Sequence, residues 1–330
     1  MDPTPRRWGQ VLEVRMKYHR LGQTGLLVSR ICYGSLTMGP LQRNLSLDEG
    51  ADLLVHAMEL GINFVDTAEI YGTYAYIKEA MRRTQKEFIV ASKSYSYTGK
   101  MMADSLEKAR KELDKDVIDI FLLHEQESLL TVKGHWEAVE YLVKAKAQGK
   151  VKAIGLSTHL VKGVEAALNY PELEIIHPIY NYQGLGILDG SIDLMREKLK
   201  EAKRMGKGIY AMKPLGGGNL IADAKKAMTW VYNQEDIDAV AVGMQNKAEI
   251  NTNVAWLLGQ TVDAEDSKNL SKQARKLHIE DYCLGCGRCV QRCRHNALTI
   301  VNERAVVDSD RCVLCGYCGG VCPDFAIKII

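Results

Sequence analysis

The chain is 330 residues long, 46% hydrophobic and 25% charged, an ordinary globular composition that excludes disordered, fibrous and miniature disulfide-stapled proteins. Its formal net charge is +2 without a long basic run, so electrostatics recommend neither a nucleic acid nor an anionic membrane, and a small-molecule or protein partner is favoured. No window approaches the roughly 18 consecutive apolar residues of a membrane span, and the twin arginine Arg6-Arg7 has no apolar stretch behind it, which reads as a cytoplasmic chain without a signal.

Residues 1–15 read as an N-terminal extension. Residues 16–29 alternate in strand fashion around Gln23-Thr24-Gly25 and predict a hairpin able to close the bottom of a barrel. Eight apolar runs of strand length follow: ICYG near 31, INFVDTA from 62, FIVASK from 88, IDIFLLH from 118, AIGLST from 153, EIIHPIYN from 174, GIYAMKP from 208 and DAVAVGM from 238. Helical patterns such as DEGADLLVHAMELG and SIDLMREKLKEAKRMGK lie between them, with Gly61, Gly149 and Gly206 where a left-handed helix stop is needed. Eight βα units over residues 16–259 predict an α/β fold of the (β/α)8 TIM-barrel type. A doubly wound sheet would need a glycine-rich phosphate loop after an early strand, and the first strand runs into YGSLTMG instead.

In a TIM barrel the working side chains project from the C-terminal ends of the strands. Asp66 and, five residues on, Tyr71 stand in DTAEIYG, Lys93 ends ASK and His124 ends LLH. Singly, each has a plain structural explanation: a helix cap, a core tyrosine, a solvated lysine, a satisfied histidine. On three successive strand ends they form a constellation. In these contexts the chain resembles the aldo-keto reductases from the hairpin to about residue 259, with DTAEIYG the most specific string.

The resemblance implies an oxidoreductase that moves a hydride reversibly between NADP or NAD and a small-molecule carbonyl or alcohol, with Asp66, Tyr71, Lys93 and His124 as catalytic tetrad. A free tyrosine, pKa about 10, is a weak proton donor near neutrality. Lys93 is expected to stabilise the phenolate and lower the Tyr71 pKa, Asp66 to hold and neutralise Lys93, and His124 to orient the carbonyl oxygen. The nucleotide contacts carry over to Ser157, Thr158, His177 and Met212, to the loop Pro214, Leu215, Gly216, Gly217 and Gly218, and to Gly243, Gln245, Lys247 and Asn253. Three of these depart from the family: Thr158 stands for asparagine, His177 for glutamine and Met212 for the stacking aromatic. Thr158 and His177 are still able to bond a carboxamide, and Met212 to lie against a ring. Lys247 either meets a 2′-phosphate or is a solvated helix-start lysine, which leaves NAD versus NADP open. Tyr74 and Tyr76 either line the substrate mouth or pack a short helix. His159, Tyr180, Asn181, Tyr182 and Gln183 face the expected mouth without assigned chemistry.

The polar, partly helical stretch 260–282 reads as a linker. Of nine cysteines, Cys32 stands alone and the other eight fall within 40 residues. They read Cys283-x2-Cys286-x2-Cys289-x3-Cys293 and Cys312-x2-Cys315-x2-Cys318-x3-Cys322-Pro323, each recurring 29 positions later. Asp281 repeats as Asp310, Ala297 as Ala326 and LTIV at 298–301 as IKII at 327–330, so the segment is an internal repeat. A reduced-looking body argues against an oxidising compartment and for metal binding. Residues 283–330 resemble the bacterial ferredoxin with two 4Fe-4S clusters, an α+β domain. Its pattern implies one cluster on Cys283, Cys286, Cys289 and Cys322, and another on Cys312, Cys315, Cys318 and Cys293. Paired zinc sites are the alternative. Arg294 follows Cys293 where the family has proline, either as a local variant or as a charge that raises the cluster potential.

Hydride chemistry moves two electrons and a cluster passes one. Three readings follow. The barrel is an ordinary carbonyl reductase whose clusters are structural, regulatory or dock a ferredoxin or other redox protein. Alternatively it is a ferredoxin-linked one-electron reductase with weak or no nicotinamide use. Thirdly, the barrel is silent and the chain an electron-transfer subunit. The intact tetrad argues against the third, and the replaced contacts at Thr158, His177 and Met212 lend weight to the second.

Overall fold

The computed structural model describes residues 16–271 and 274–330; the extension expected at 1–15 lies outside them. Strands β1 (Tyr18–Arg20) and β2 (Leu27–Ser29) pair antiparallel as the expected hairpin. Its apolar side chains Leu21, Leu26 and Val28 enter one cluster with Cys32, Phe64, Ile120 and Ile175, which fills the bottom of the barrel. Gly22 has φ +53°, and a Cβ there would lie 2.3 Å from the Gly208 nitrogen, so a side chain would push the plug out of its seat.

Eight parallel strands then close on themselves: β3 (Ile31–Gly34), β4 (Phe64–Asp66), β5 (Ile89–Ser94), β6 (Ile118–Leu123), β7 (Val151–Thr158), β8 (Ile175–Pro178), β9 (Gly208–Ala211) and β10 (Ala239–Gly243), with β10 beside β3. The strands are buried on both faces, inside against the plug and outside against the helices. That is why they read as continuous apolar runs rather than alternation. Helix boundaries follow local chemistry. Ser46 and Glu49 form a reciprocal capping box at the start of the helix Leu47–Glu59, worth about 1 kcal/mol, and Gly61, Gly149 and Gly206 all have positive φ past helix ends. Among the described residues no helix is long and apolar enough to cross a membrane.

The C-terminal module consists of two antiparallel pairs, β11 (Leu277–Ile279) with β14 (Ile327–Ile329) and β12 (Leu298–Val301) with β13 (Arg304–Val307). The stretch read as linker therefore contains a helix, Ala264–Ser271, and then a strand of the module itself, so this fold begins at Leu277 rather than Cys283. The sequence repeat extends to the backbone: the pairs Gly285 and Leu314, Gly287 and Gly316, Asn296 and Phe325 all take positive φ. Ala297 N–H donates to Cys293 Sγ at 3.4 Å, and its counterpart Ala326 N–H donates to Cys322 Sγ at 3.2 Å.

The module sits on the loop after β9. Ile329 N–H donates to the Gly217 carbonyl at 2.9 Å, and Asn219 Nδ2 donates to the Ile327 carbonyl at 2.9 Å. A Cβ on Gly218 would lie 2.0 Å from the Ile329 oxygen, and one on Gly316 would lie 2.3 Å from the Asn219 oxygen. Phe325 joins the main barrel core cluster.

Candidate active site

The four rim residues meet. Lys93, 1% exposed, comes from β5, and its Nζ donates to Asp66 Oδ1, Asp66 Oδ2 and the Thr67 carbonyl, each at 2.8 Å. The ammonium also lies 4.9 Å from the centroid of the Tyr71 ring, and Tyr71 packs edge-on against His124 at 5.9 Å. Tyr71 reaches this place because Gly72, φ +65°, ends its short 3-10 turn and Thr73 bonds Thr67 at 2.7 Å. Asp66 accepts a further hydrogen bond from Tyr210 Oη at 3.0 Å.

Burial, then the charges of Asp66 and Glu125, hold the Tyr71 phenol well above its ordinary pKa. This differs from the expected lowering by Lys93: the ammonium gives its hydrogen bonds to Asp66 and Thr67 rather than to the phenol, and burial and the Asp66 charge act in the raising direction. Burial, then the Lys93 charge, keeps His124 neutral by pushing its pKa well down. Its Nδ1 is buried without a hydrogen-bond partner among the described residues.

The residues carried over for a nucleotide are largely engaged internally. Ser157 Oγ accepts from Glu125 N–H at 2.8 Å, and Thr158 Oγ1 exchanges bonds with Leu160. His177 Nδ1 bonds the Tyr210 carbonyl at 2.6 Å while its ring stacks on Tyr210 at 3.9 Å. Burial lowers His177 to about 4. Met212 bridges to Ile179 and packs on the core. Pro214, Leu215 and Gly216 shape the loop, whose Gly217 and Gly218 meet Lys328 and Ile329. Gly243 closes against Thr37, and Gln245 N–H is tied to Glu249. Asn253 is tied to Tyr232 and to the Glu249 carbonyl, and Lys247 is exposed. Arg275 reaches Glu249 at 2.9 Å, so the segment joining barrel and module passes beside this region as well.

Tyr74 and Tyr76 pack rather than line the mouth, bonding Ser92 and the Leu45 carbonyl. Tyr180 packs at a tilt against Trp230, and Asn181 braces Leu185. Tyr182 bonds Asp223, and Gln183 bonds Tyr182. The mouth is built instead by residues the sequence reading did not single out. Tyr95 stacks on His124 at 4.3 Å and donates to Glu125 at 2.5 Å. Lys213 Nζ lies 2.9 Å from His159 Nε2. Tyr282, beside Cys283, is 55% exposed. Lys213 and Glu125 directly follow strand-end residues, the one signal that marked them.

Two cavities in the module are each lined by four cysteines. One has Cys283, Cys286, Cys289 and Cys322; the other has Cys293, Cys312, Cys315 and Cys318. None of the eight forms a disulfide among the described residues. Burial raises Cys318 to about 12, with Cys315 and Cys312 adding to it, a crowding that metal cations reverse by holding thiolates. Among the described residues no three metal-binding side chains converge on one ion position. The thiols surround an opening, which suits a cube of four irons better than a single zinc.

Fold and site together define a barrel oxidoreductase that carries an iron-sulfur domain. Residues 30–226 match the model of the Aldo/keto reductase family and residues 282–326 that of the 4Fe-4S dicluster domain. The chain belongs to the aldo/keto reductase family. An L-galactose dehydrogenase of Arabidopsis thaliana is 23% identical over 300 residues, 78% of this chain and 93% of the relative. A 6-dehydroglucose reductase of Novosphingobium aromaticivorans is 28% identical over 265 residues, 73% of this chain and 82% of the relative. A solved structure from Pseudomonas aeruginosa described as an aldo-keto reductase superposes with TM-score 0.63 at 27% identity, covering 73% of this chain and 94% of that one.

Proposed function

We propose that the chain interconverts a conjugated carbonyl compound and its alcohol at the rim of Asp66, Tyr71, Lys93 and His124, with electrons exchanged through two 4Fe-4S clusters instead of bound nicotinamide. The observation that carries the choice of donor is the seat of β14: its backbone bonds Gly217, where a dinucleotide's phosphates would lie. The two cysteine cavities fit two clusters, each supplying or accepting one electron at low potential when bound. Reduction of a carbonyl to an alcohol consumes two electrons and two protons, so one electron through each cluster balances the reaction, with an external one-electron carrier as reductant. Tyr71 gives the proton to oxygen, and water at the mouth supplies the proton to carbon. Neutral His124 orients the oxygen by hydrogen bonding, and the Lys93–Asp66 pair fixes the field that the departing phenolic proton leaves behind. Conjugation is required because a lone carbonyl holds a single added electron only at high energy.

A second reading, hydride transfer from NADH or NADPH, is favoured by the family and by the dehydrogenase and reductase names of its relatives. It requires β14 to leave Gly217. Anaerobic titration of the cluster-loaded chain with NADPH and NADH separates the two. The cluster-fed reading expects no saturable binding at millimolar nucleotide and no cluster bleaching. Carbonyl turnover by NAD(P)H with clusters unbleached overturns it in favour of hydride transfer.

A further inference from the structure

Two lysines that the reaction above leaves unused meet at the mouth. Lys213 follows β9 and Lys328 lies in β14; Lys213 contacts His159 at 2.9 Å, and both lysines lie over the Phe325 ring, at 5.4 Å and 3.4 Å. Lys328 Nζ donates to the Phe325 carbonyl, and neither ammonium has a carboxylate at ion-pair distance among the described residues. Of the facing acids, Glu125 accepts from Tyr95 and stands 3.9 Å from His159 Nε2, and Glu280 lies 3.3 Å from His278. Glu280, Cys322 and Glu125 act on Lys328 only at longer range, in the raising direction. Buried cations without a counter-charge are costly. Burial pushes Lys213 down to about 8, while burial and then the Lys213 charge push Lys328 down to about 6.

The backbone adds a second sign. Lys213 has φ +53° and Glu125 φ +51°, left-handed conformations uncommon for residues with a Cβ, and Lys213 also precedes Pro214, where extended backbone is preferred. Strain of this kind collects where side chains must be aimed at a ligand. His159 is kept neutral by burial, then by the two lysines, and it lies within electrostatic reach of His124. Its Nε2 accepts from Lys213, which leaves Nδ1–H as a further donor.

We propose that Lys213, Lys328 and His159 form a subsite for a carboxylate carried by the substrate next to its reacting carbonyl, so that the barrel acts on an oxo acid. The proposal rests on the rim being the carbonyl site, and it answers the need for conjugation, since a 2-oxo acid has its carbonyl joined to a second π system. A carboxylate there would accept charge-assisted bonds from both amines and from His159.

The test is anaerobic calorimetric binding to the full, cluster-loaded chain, with phenylglyoxylate, its uncharged methyl ester, inorganic phosphate and NADP+ as separate probes. The acid is expected to bind roughly tenfold or more tighter than the ester. Lys213→Asn, which tolerates left-handed backbone, and Lys328→Met should each bring acid and ester within about twofold of one another, scaled by the same bond energies. Lys213→Arg should keep the preference, and the spectra of the reduced clusters should not change. Lys328→Met carries the test if Lys213→Asn disturbs folding. Absent binding of the acid, equal binding of acid and ester, or a preference that survives both variants would overturn the proposal. So would binding of phosphate or NADP+, but not of the acid, that depends on Lys213, since the anion would then be a free or nucleotide phosphate. Binding needs no electron transfer, so failure of the cluster-fed reading leaves this result standing, and the reverse also holds.

Discussion

The barrel holds its reactive groups in a different way from the module. Lys93 is immobilised by three hydrogen bonds inside a continuous core, with its partner Asp66 5% exposed. The cysteines, apart from Cys289 in the short helix Arg288–Arg292, sit on loops around a core cluster of eight buried residues, two of them cysteines, beside Leu284 and Tyr317 at 73% and 62% exposure. The barrel's site is therefore organised by folding alone, whereas a module this small draws its order from what the thiolates bind.

Replacing Tyr71 by Phe should sharpen the comparison most. Turnover of any accepted carbonyl should fall by roughly 10²- to 10⁴-fold, with iron content and thermal melting unchanged. Next in size, removal of iron by an anaerobic chelator should open the module to proteolysis between about residues 277 and 330 while the barrel's melting transition persists; a coincident loss of both would break the contrast. Lys93→Met leaves the Asp66 carboxylate unpaired in the core and should cost about 3–5 kcal/mol, read by urea unfolding of the barrel.

His177 gives a pH test of the barrel alone. Its pKa is about 4 in the folded chain against an ordinary 6.5, so between these values the unfolded chain binds a proton that the folded one refuses. Stability is then full above pH about 6.5 and falls as the pH drops toward 4, by up to about 3 kcal/mol. His177→Gln should flatten that slope. The smallest effect is expected for Asn219→Ala, which removes one bond from loop to β14; a loss of about 1 kcal/mol in docking should speed proteolytic cleavage of the module from the barrel by only a few fold.

The barrel's strands were legible because each is an apolar run buried on both faces, and the tetrad because a charged or polar residue ends three of those runs. The repeat of eight cysteines was legible from spacing alone. The mouth was not, since it is made by residues distant in sequence: Lys328 sits in an apolar repeat, IKII, that reads only as a strand, and nothing local says that β14 will bond Gly217. The glycines at 216 to 218 read as a cradle for phosphates; in the fold Gly217 and Gly218 lie against Lys328 and Ile329 of the last strand, and Gly216 against Leu185 and Leu220. For Tyr74 and Tyr76 the sequence left mouth and packing both open, and their bonds to Ser92 and the Leu45 carbonyl are those of packed side chains.

The central claim is that electrons reach the rim from the clusters. It is tested most directly by stopped-flow mixing of the fully loaded chain, its clusters reduced anaerobically with limiting dithionite, against a conjugated carbonyl such as phenylglyoxylate. The account predicts that the visible cluster absorbance returns in the wild-type chain with alcohol formed at one per two electrons, and that Tyr71→Phe abolishes both. Clusters that stay reduced beside the carbonyl while NADPH alone drives alcohol formation would contradict it.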